Sequence, residues 1–215
     1  MSWKRTRLPV LGTMILLLGG STACVPSKRV RLSEPRIHPV ERSDWTDAQR
    51  AYLETRERAG RLLNVFKTIA NHVDLAKSVD SLVFGHISTE FSMLSPRHRE
   101  LLILRIGWLC QSEYEWAAHA RIAHSIGFTN EELVRITKGP EASGWIPFES
   151  TLLRAVDELH SDAFITDSTW RSLSEQYDTQ QLMDVVATVG TYNLVSMMLN
   201  SWGVQLDEGL KGFPK

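Results

Sequence analysis

Three residues in one short stretch, Ser112, Glu115 and His119, have the types and spacing for proton chemistry. Intervals of three and four put them on one stripe of a helix, where their side chains can converge. Glu115 and His119 stand at i and i+4, within reach of a direct hydrogen bond. A carboxylate beside an imidazole raises its pKa and fixes its tautomer, which is what a general acid or base needs. Tyr114 sits one position off the stripe and can flank it. Such pairs also serve as plain surface stabilisation, contributing about 0.2–0.5 kcal/mol on an exposed helix. Glu100 changes the balance. It is followed directly by Leu101, Leu102, Ile103 and Leu104, and a carboxylate entering a buried helix is costly unless it is paired or lines a pocket. The alternatives are an ion pair with Arg97 or Arg105, or exposure in a first turn where the helix dipole favours an acid. Arg97 and Arg105 could themselves dock a substrate carboxylate, or simply carry surface charge.

The elements that must position these residues are all helical. Asp44 can cap a helix running to about Leu63, and residues 64–84 read as one or two helices broken near His72–Asp74. Ser95-Pro96 is a strong helix start, because the missing proline N–H is harmless in a first turn. The run after it is apolar nearly all round beyond Glu100, as expected of a buried helix. Residues 112–126 form the next helix, closed by Gly127. Thr129 to Glu132 is a capping box, residues 139–147 are a loop, and helices follow at 148–162, 167–177 and 179–199. No segment alternates with period two for long. The predicted fold class is all-α, a compact multi-helix bundle occupying residues 44–215.

Net charge is −1 and no stretch concentrates Lys and Arg, which argues against a nucleic-acid partner. His124 follows His119 by five residues, so the two point about 140° apart and make a poor metal pair. No His or carboxylate cluster has metal spacing, and no metal is expected. Trp108, Trp116, Trp145, Trp170 and Trp202 read as core or interface packing. The apolar stretch 183–199 reads as a core or subunit-contact helix, interrupted by Asp184 and Asn193, and not as a membrane span.

Residues 1–23 have the layout of a secretory signal: Lys4, Arg5 and Arg7, then an uncharged run from Leu8 to Gly20, then small residues. Cys24 after Ala23 resembles a bacterial lipobox, although Ser21 stands where Leu is usual. Cleavage by ordinary signal peptidase and an uncleaved anchor are the alternatives. The expected location is outside the cytoplasm, periplasmic or membrane-anchored through this segment or a lipid on Cys24. Residues 24–43 are polar and rich in proline, and read as a tether or an arm lying on a neighbour's surface. Cys110 is the one other cysteine.

The block from Leu94 to Leu133, LSPRHRELLILRIGWLCQSEYEWAAHARIAHSIGFTNEEL, resembles the central motif of the carboxymuconolactone decarboxylase-like superfamily, which includes alkyl hydroperoxidase D. Similarity extends to NVFKTIANH upstream and to PFESTLLRAVDELH, ITDSTW and NSWGVQL downstream, covering roughly residues 40–209. In the hydroperoxidase branch a Glu is followed, after eleven residues, by Cys-x-Tyr-Cys-x-x-x-His. Laid on this chain without gaps, the Glu falls on Glu100, the first Cys on Ser112, Tyr on Tyr114, the second Cys on Glu115 and His on His119. Both redox sulfurs are therefore absent. Cys110 lies two positions before the first slot, about 200° away round a helix, and does not replace them. Two-cysteine peroxidase chemistry needs a thiolate and a resolving partner and is excluded.

What the resemblance leaves is a cofactor-independent lyase acting on a small organic acid or lactone. In that reading His119 donates a proton, Glu115 orients it, Glu100 shuttles or holds the second proton, and Tyr114 binds a substrate oxygen. The alternatives are hydroperoxide reduction through Cys110 and a non-catalytic small-molecule-binding lipoprotein. The resemblance also implies a homo-trimer or homo-hexamer.

Overall fold

The structure, a computed structural model, describes residues 32–88 and 91–214. The expected signal segment and Cys24 lie outside the described residues. Among the described residues there are helices and no strand.

The order is α1 (Asp47–Arg58), α2 (Asn64–Ile69), α3 (Val73–Leu82), α4 (Pro96–Leu109), α5 (Glu113–Ser125), α6 (Asn130–Lys138), α7 (Pro147–Asp162), α8 (Asp167–Ser174) and α9 (Thr179–Trp202). Short 3-10 turns at Arg42–Asp44 and Ala70–His72, and a π-helical turn at Val83–Ile87, complete the set. Helix α4 is the axle. Its residues from Glu100 to Gly107 are all buried, and α5, α7 and α9 pack around it, which is why the sequence there lacks a polar face. A second, smaller cluster of Trp45, Tyr52, Leu53, Ile69, Ala70 and Ala76 binds α1, α2 and α3 to one another.

Local signals place most boundaries. Ser95 caps α4, accepting from the His98 N–H, with Pro96 in the first turn. Thr129 and Glu132 form a reciprocal capping box on α6, as do Asp178 and Gln181 on α9. The first helix differs from expectation. Thr46, not Asp44, is its cap, because Gln49 returns a side-chain bond to the Thr46 N–H, and the helix ends at Arg58, not near Leu63. The break expected near His72 is present, with the His72 ring accepting from the Leu75 N–H.

Helix α9 is long and apolar enough to cross a membrane, yet half of its most apolar window is buried against the rest of the chain. It stops at Gly203, whose φ of +72° suits glycine and whose added Cβ would lie 2.9 Å from Glu34 O. That close approach seats the arm. The N–H groups of Arg36 and Ile37 both donate to Trp202 O, and Val40 N donates to Lys67 O. Residues 32–40, expected to be a tether or an arm on a neighbour's surface, thus make these contacts with their own chain.

Candidate functional site

A tight corner sets the site. Cys110 and Gln111 join α4 to α5, with Gln111 at a φ of +52° and Ser112 N donating to Gly107 O. A non-glycine residue in the left-handed region costs about 1 kcal/mol, and the corner holds it because α4 and α5 then return antiparallel. Glu100 and His119, at similar distances from the corner, come level with each other.

The result is an imidazole bracketed by two carboxylates. His119 Nδ1 donates to Glu100 Oε2 at 2.7 Å, and Glu115 Oε1 lies 3.0 Å from Nε2. The second contact is close but lies off the line of the ring N–H, so Glu115 Oε1 has no hydrogen-bond partner among the described residues. All three side chains are buried. Burial alone would lower the His119 pKa, but the negative charge of Glu100, then that of Glu115, and the Glu100 hydrogen bond together hold it well above the ordinary histidine value. Tyr192 also raises it when ionised, but burial keeps that phenol protonated. The charges around the ring thus favour the imidazolium over the neutral imidazole. One turn back, Ser112 Oγ is buried and likewise lacks a partner among the described residues. Ser112 is the first-turn cap residue of α5 by position, yet its side chain does no capping.

Sequence reasoning missed Tyr192. Its ring meets His119 edge-on, centroids 5.0 Å apart, and its hydroxyl shares a 3.3 Å hydrogen bond with Ser88 Oγ. The available signal was a polar stripe at four-residue spacing on α9, namely Asp184, Thr188, Tyr192 and Ser196, all buried.

Three expected site residues are elsewhere. Tyr114 donates to Asp207 Oδ2, while Asp207 Oδ1 accepts from Asn64 N at 2.8 Å. The phenol thus fastens α5 to α2 and the C-terminal segment, where binding of a substrate oxygen was expected. Arg97 grips Glu149 at 2.6 Å and Glu132, with its guanidinium over Phe128. Arg105 holds Asp157 through two bonds of 2.6 and 2.8 Å and the last-turn carbonyls of Ile136 and Thr137 through another nitrogen. Gly139 makes room for this, since a Cβ there would lie 2.8 Å from the Arg105 guanidinium. Both arginines are committed to α6 and α7, which corrects their expected role in substrate docking. Of the two carboxylates it is Glu100 that hydrogen-bonds the imidazole, while Glu115, expected to orient it, has an oxygen without a partner among the described residues. A cavity of about 70 Å³ lies by the first turn of α5, lined by Leu32, Glu113, Tyr114 and Leu199 among others, but not by Glu100, Glu115 or His119.

Residues 74–158 match the model of the carboxymuconolactone decarboxylase family. Over these residues the chain is similar to that family. No curated protein matches it in sequence. Among solved structures, it is similar to an alkylhydroperoxidase AhpD core, an uncharacterized peroxidase-related protein from Ralstonia eutropha JMP134. The TM-score is 0.70 at 18% identity, covering 81% of this chain and 93% of that one. A peroxidase-related protein from Silicibacter sp. TM1040 gives 0.70 at 14% identity, covering 82% and 95%. The debrominase Bmp8, in complex with 2,3,4-tribromopyrrole, gives 0.65 at 15% identity, covering 82% and 94%. At these identities the likeness is one of fold. The family match spans α3 to α7 and so contains Glu100, Ser112, Glu115 and His119, whereas Tyr192 falls beyond it.

Proposed function

We propose that the chain is a cofactor-independent acid–base enzyme of the decarboxylase-like type, acting on a small organic acid or lactone. The observation that carries this reading is the buried imidazole of His119 bracketed by Glu100 and Glu115, with one carboxylate oxygen left open beside the ring. A proton donor buried among acids, with its tautomer fixed from behind, is suited to protonating a carbon as negative charge develops on it.

In the reaction, the bond to a vinylogous carboxylate breaks, CO₂ departs, and its electron pair becomes a dienolate. His119 supplies the proton from Nε2 to the dienolate carbon while Glu100 holds the ring through Nδ1. Ser112 Oγ and Glu115 Oε1, buried polar atoms without partners among the described residues, bind a polar group or accept a proton of the substrate. Arg97 and Arg105 take no part. Assembly as a homo-trimer or homo-hexamer belongs to the same reading, supported by the exposed apolar face of α9 at Met183, Val186, Leu194 and Met197. So does a location outside the cytoplasm, supported by the order of charged, apolar and small residues in 1–24.

The test is a panel of small unsaturated acids and lactones, γ-carboxymuconolactone included, incubated in deuterated water. CO₂ release and deuterium incorporation are read together. Turnover in the native chain should fall at least about a hundredfold in His119→Gln and stay unchanged in Cys110→Ser. Turnover that survives His119→Gln, or that vanishes with Cys110, would overturn the reading.

A further inference from the structure

Outside the His119 site, one nucleophile is set among side chains from three helices. Cys110 terminates α4, ten residues beyond Glu100 and so about 15 Å along the axis. Its Sγ donates to Asn193 Oδ1 on α9 at 2.9 Å and lies 3.9 Å from His160 Nδ1 on α7. Its own carbonyl accepts from Asn200 Nδ2 at 3.0 Å, which pins the backbone beneath the thiol. The sulfur is thus held by its neighbours on both sides.

We propose that Cys110, His160 and Asn193 form a second reactive site, a nucleophilic thiol that exchanges with small-molecule disulfides. The imidazole takes the thiol proton, and a thiolate beside an imidazolium is the attacking species. The amide of Asn193 accepts from the thiol at rest, and turning it about χ2 brings its NH₂ to donate to the thiolate. The thiolate then attacks one sulfur of R–S–S–R. The new bond is Cys110 Sγ–S–R, the old S–S bond breaks, and the departing RS⁻ takes the proton held by His160, leaving as RSH. The partner is small because Cys110 is only partly exposed and set at the junction of α4, α7 and α9.

The experiment treats the full chain with glutathione disulfide at neutral pH and follows the Cys110-containing peptide by mass spectrometry, which separates it from Cys24. Cys110 should gain the mixed disulfide faster in the folded chain than in the urea-unfolded chain, and at least tenfold more slowly in His160→Gln than in the native protein. Because His160 is exposed, the fold tolerates this change, and thermal unfolding of the variant serves as the control. His160→Gln reacting within twofold of the native rate, or folded Cys110 reacting no faster than the unfolded chain, overturns the proposal.

Discussion

Five residues apart on α4, Glu100 and Arg105 are both buried charges, and the chain treats them in opposite ways. Arg105 uses its donors on Asp157 and on the carbonyls that end α6, so that region is closed and finished. Glu100 shares an imidazole with Glu115, and the cluster ends in polar atoms that nothing described satisfies. Unsatisfied buried polar groups cost free energy, and they also occur singly elsewhere, at Tyr52 and Arg99. The lesson is that burial, charge or an unpaired atom does not by itself mark a site. Incomplete pairing gathered around one titratable cluster does.

The largest expected effect lies in the finished region. Arg105→Met should destabilise by about 2–3 kcal/mol, since it orphans two helix-end carbonyls and one carboxylate that is exposed enough to regain some water. Urea unfolding measures this, and the titration of His119 should not move. A loss below 0.5 kcal/mol would mean that the network is ornamental and would break the contrast.

Next comes Glu100→Gln. The folded pKa of His119 is raised, so the stability it contributes is fully present below the ordinary histidine value of about 6.5 and is lost as pH rises through the higher folded value. The stability gap between native protein and variant should therefore be widest between about pH 5 and 6.5 and narrow in alkali. The imidazole NMR midpoint, well above 6.5 in the native chain, should drop in the variant. An unmoved midpoint would show that Glu100 does not hold the proton.

How much of this contrast could be read from the chain depends on sequence distance. The all-helical class, the Ser95-Pro96 start and the Thr129 capping box are written in neighbouring residues, and the structure reproduces them. Glu115–His119 is an i, i+4 pair and equally local. Glu100 was legible through a cost, because an acid ahead of four apolar residues has to be paired. Arg105 and Arg97 were not legible as structural groups, because Asp157 and Glu149 each lie 52 residues away. Nor was Tyr114, whose partner Asp207 is 93 residues on. Tyr192 was hidden by the apolar residues between the members of its polar stripe, which made α9 look like plain core.

Ser112→Ala sharpens the comparison at lower amplitude. A serine in a cap position normally costs about 1 kcal/mol to replace by alanine, but this hydroxyl does no capping and is a buried orphan. Stability should stay within about 0.5 kcal/mol of native or rise, while turnover on any substrate found falls. A normal capping loss would place Ser112 with the finished groups.

The smallest effect on the His119 site itself belongs to Tyr192→Phe. The substitution keeps the ring edge against His119 and removes only the 3.3 Å contact with Ser88, so unfolding should change by about 0.5–1 kcal/mol. The His119 midpoint should stay within a few tenths of native, because a phenol kept protonated by burial contributes little field. A large downward shift in that midpoint would instead mean that the tyrosine hydroxyl is part of the proton-holding set. The site would then extend across the bundle interior from α5 to α9, and the division between finished and open regions would have to be redrawn along the α9 stripe.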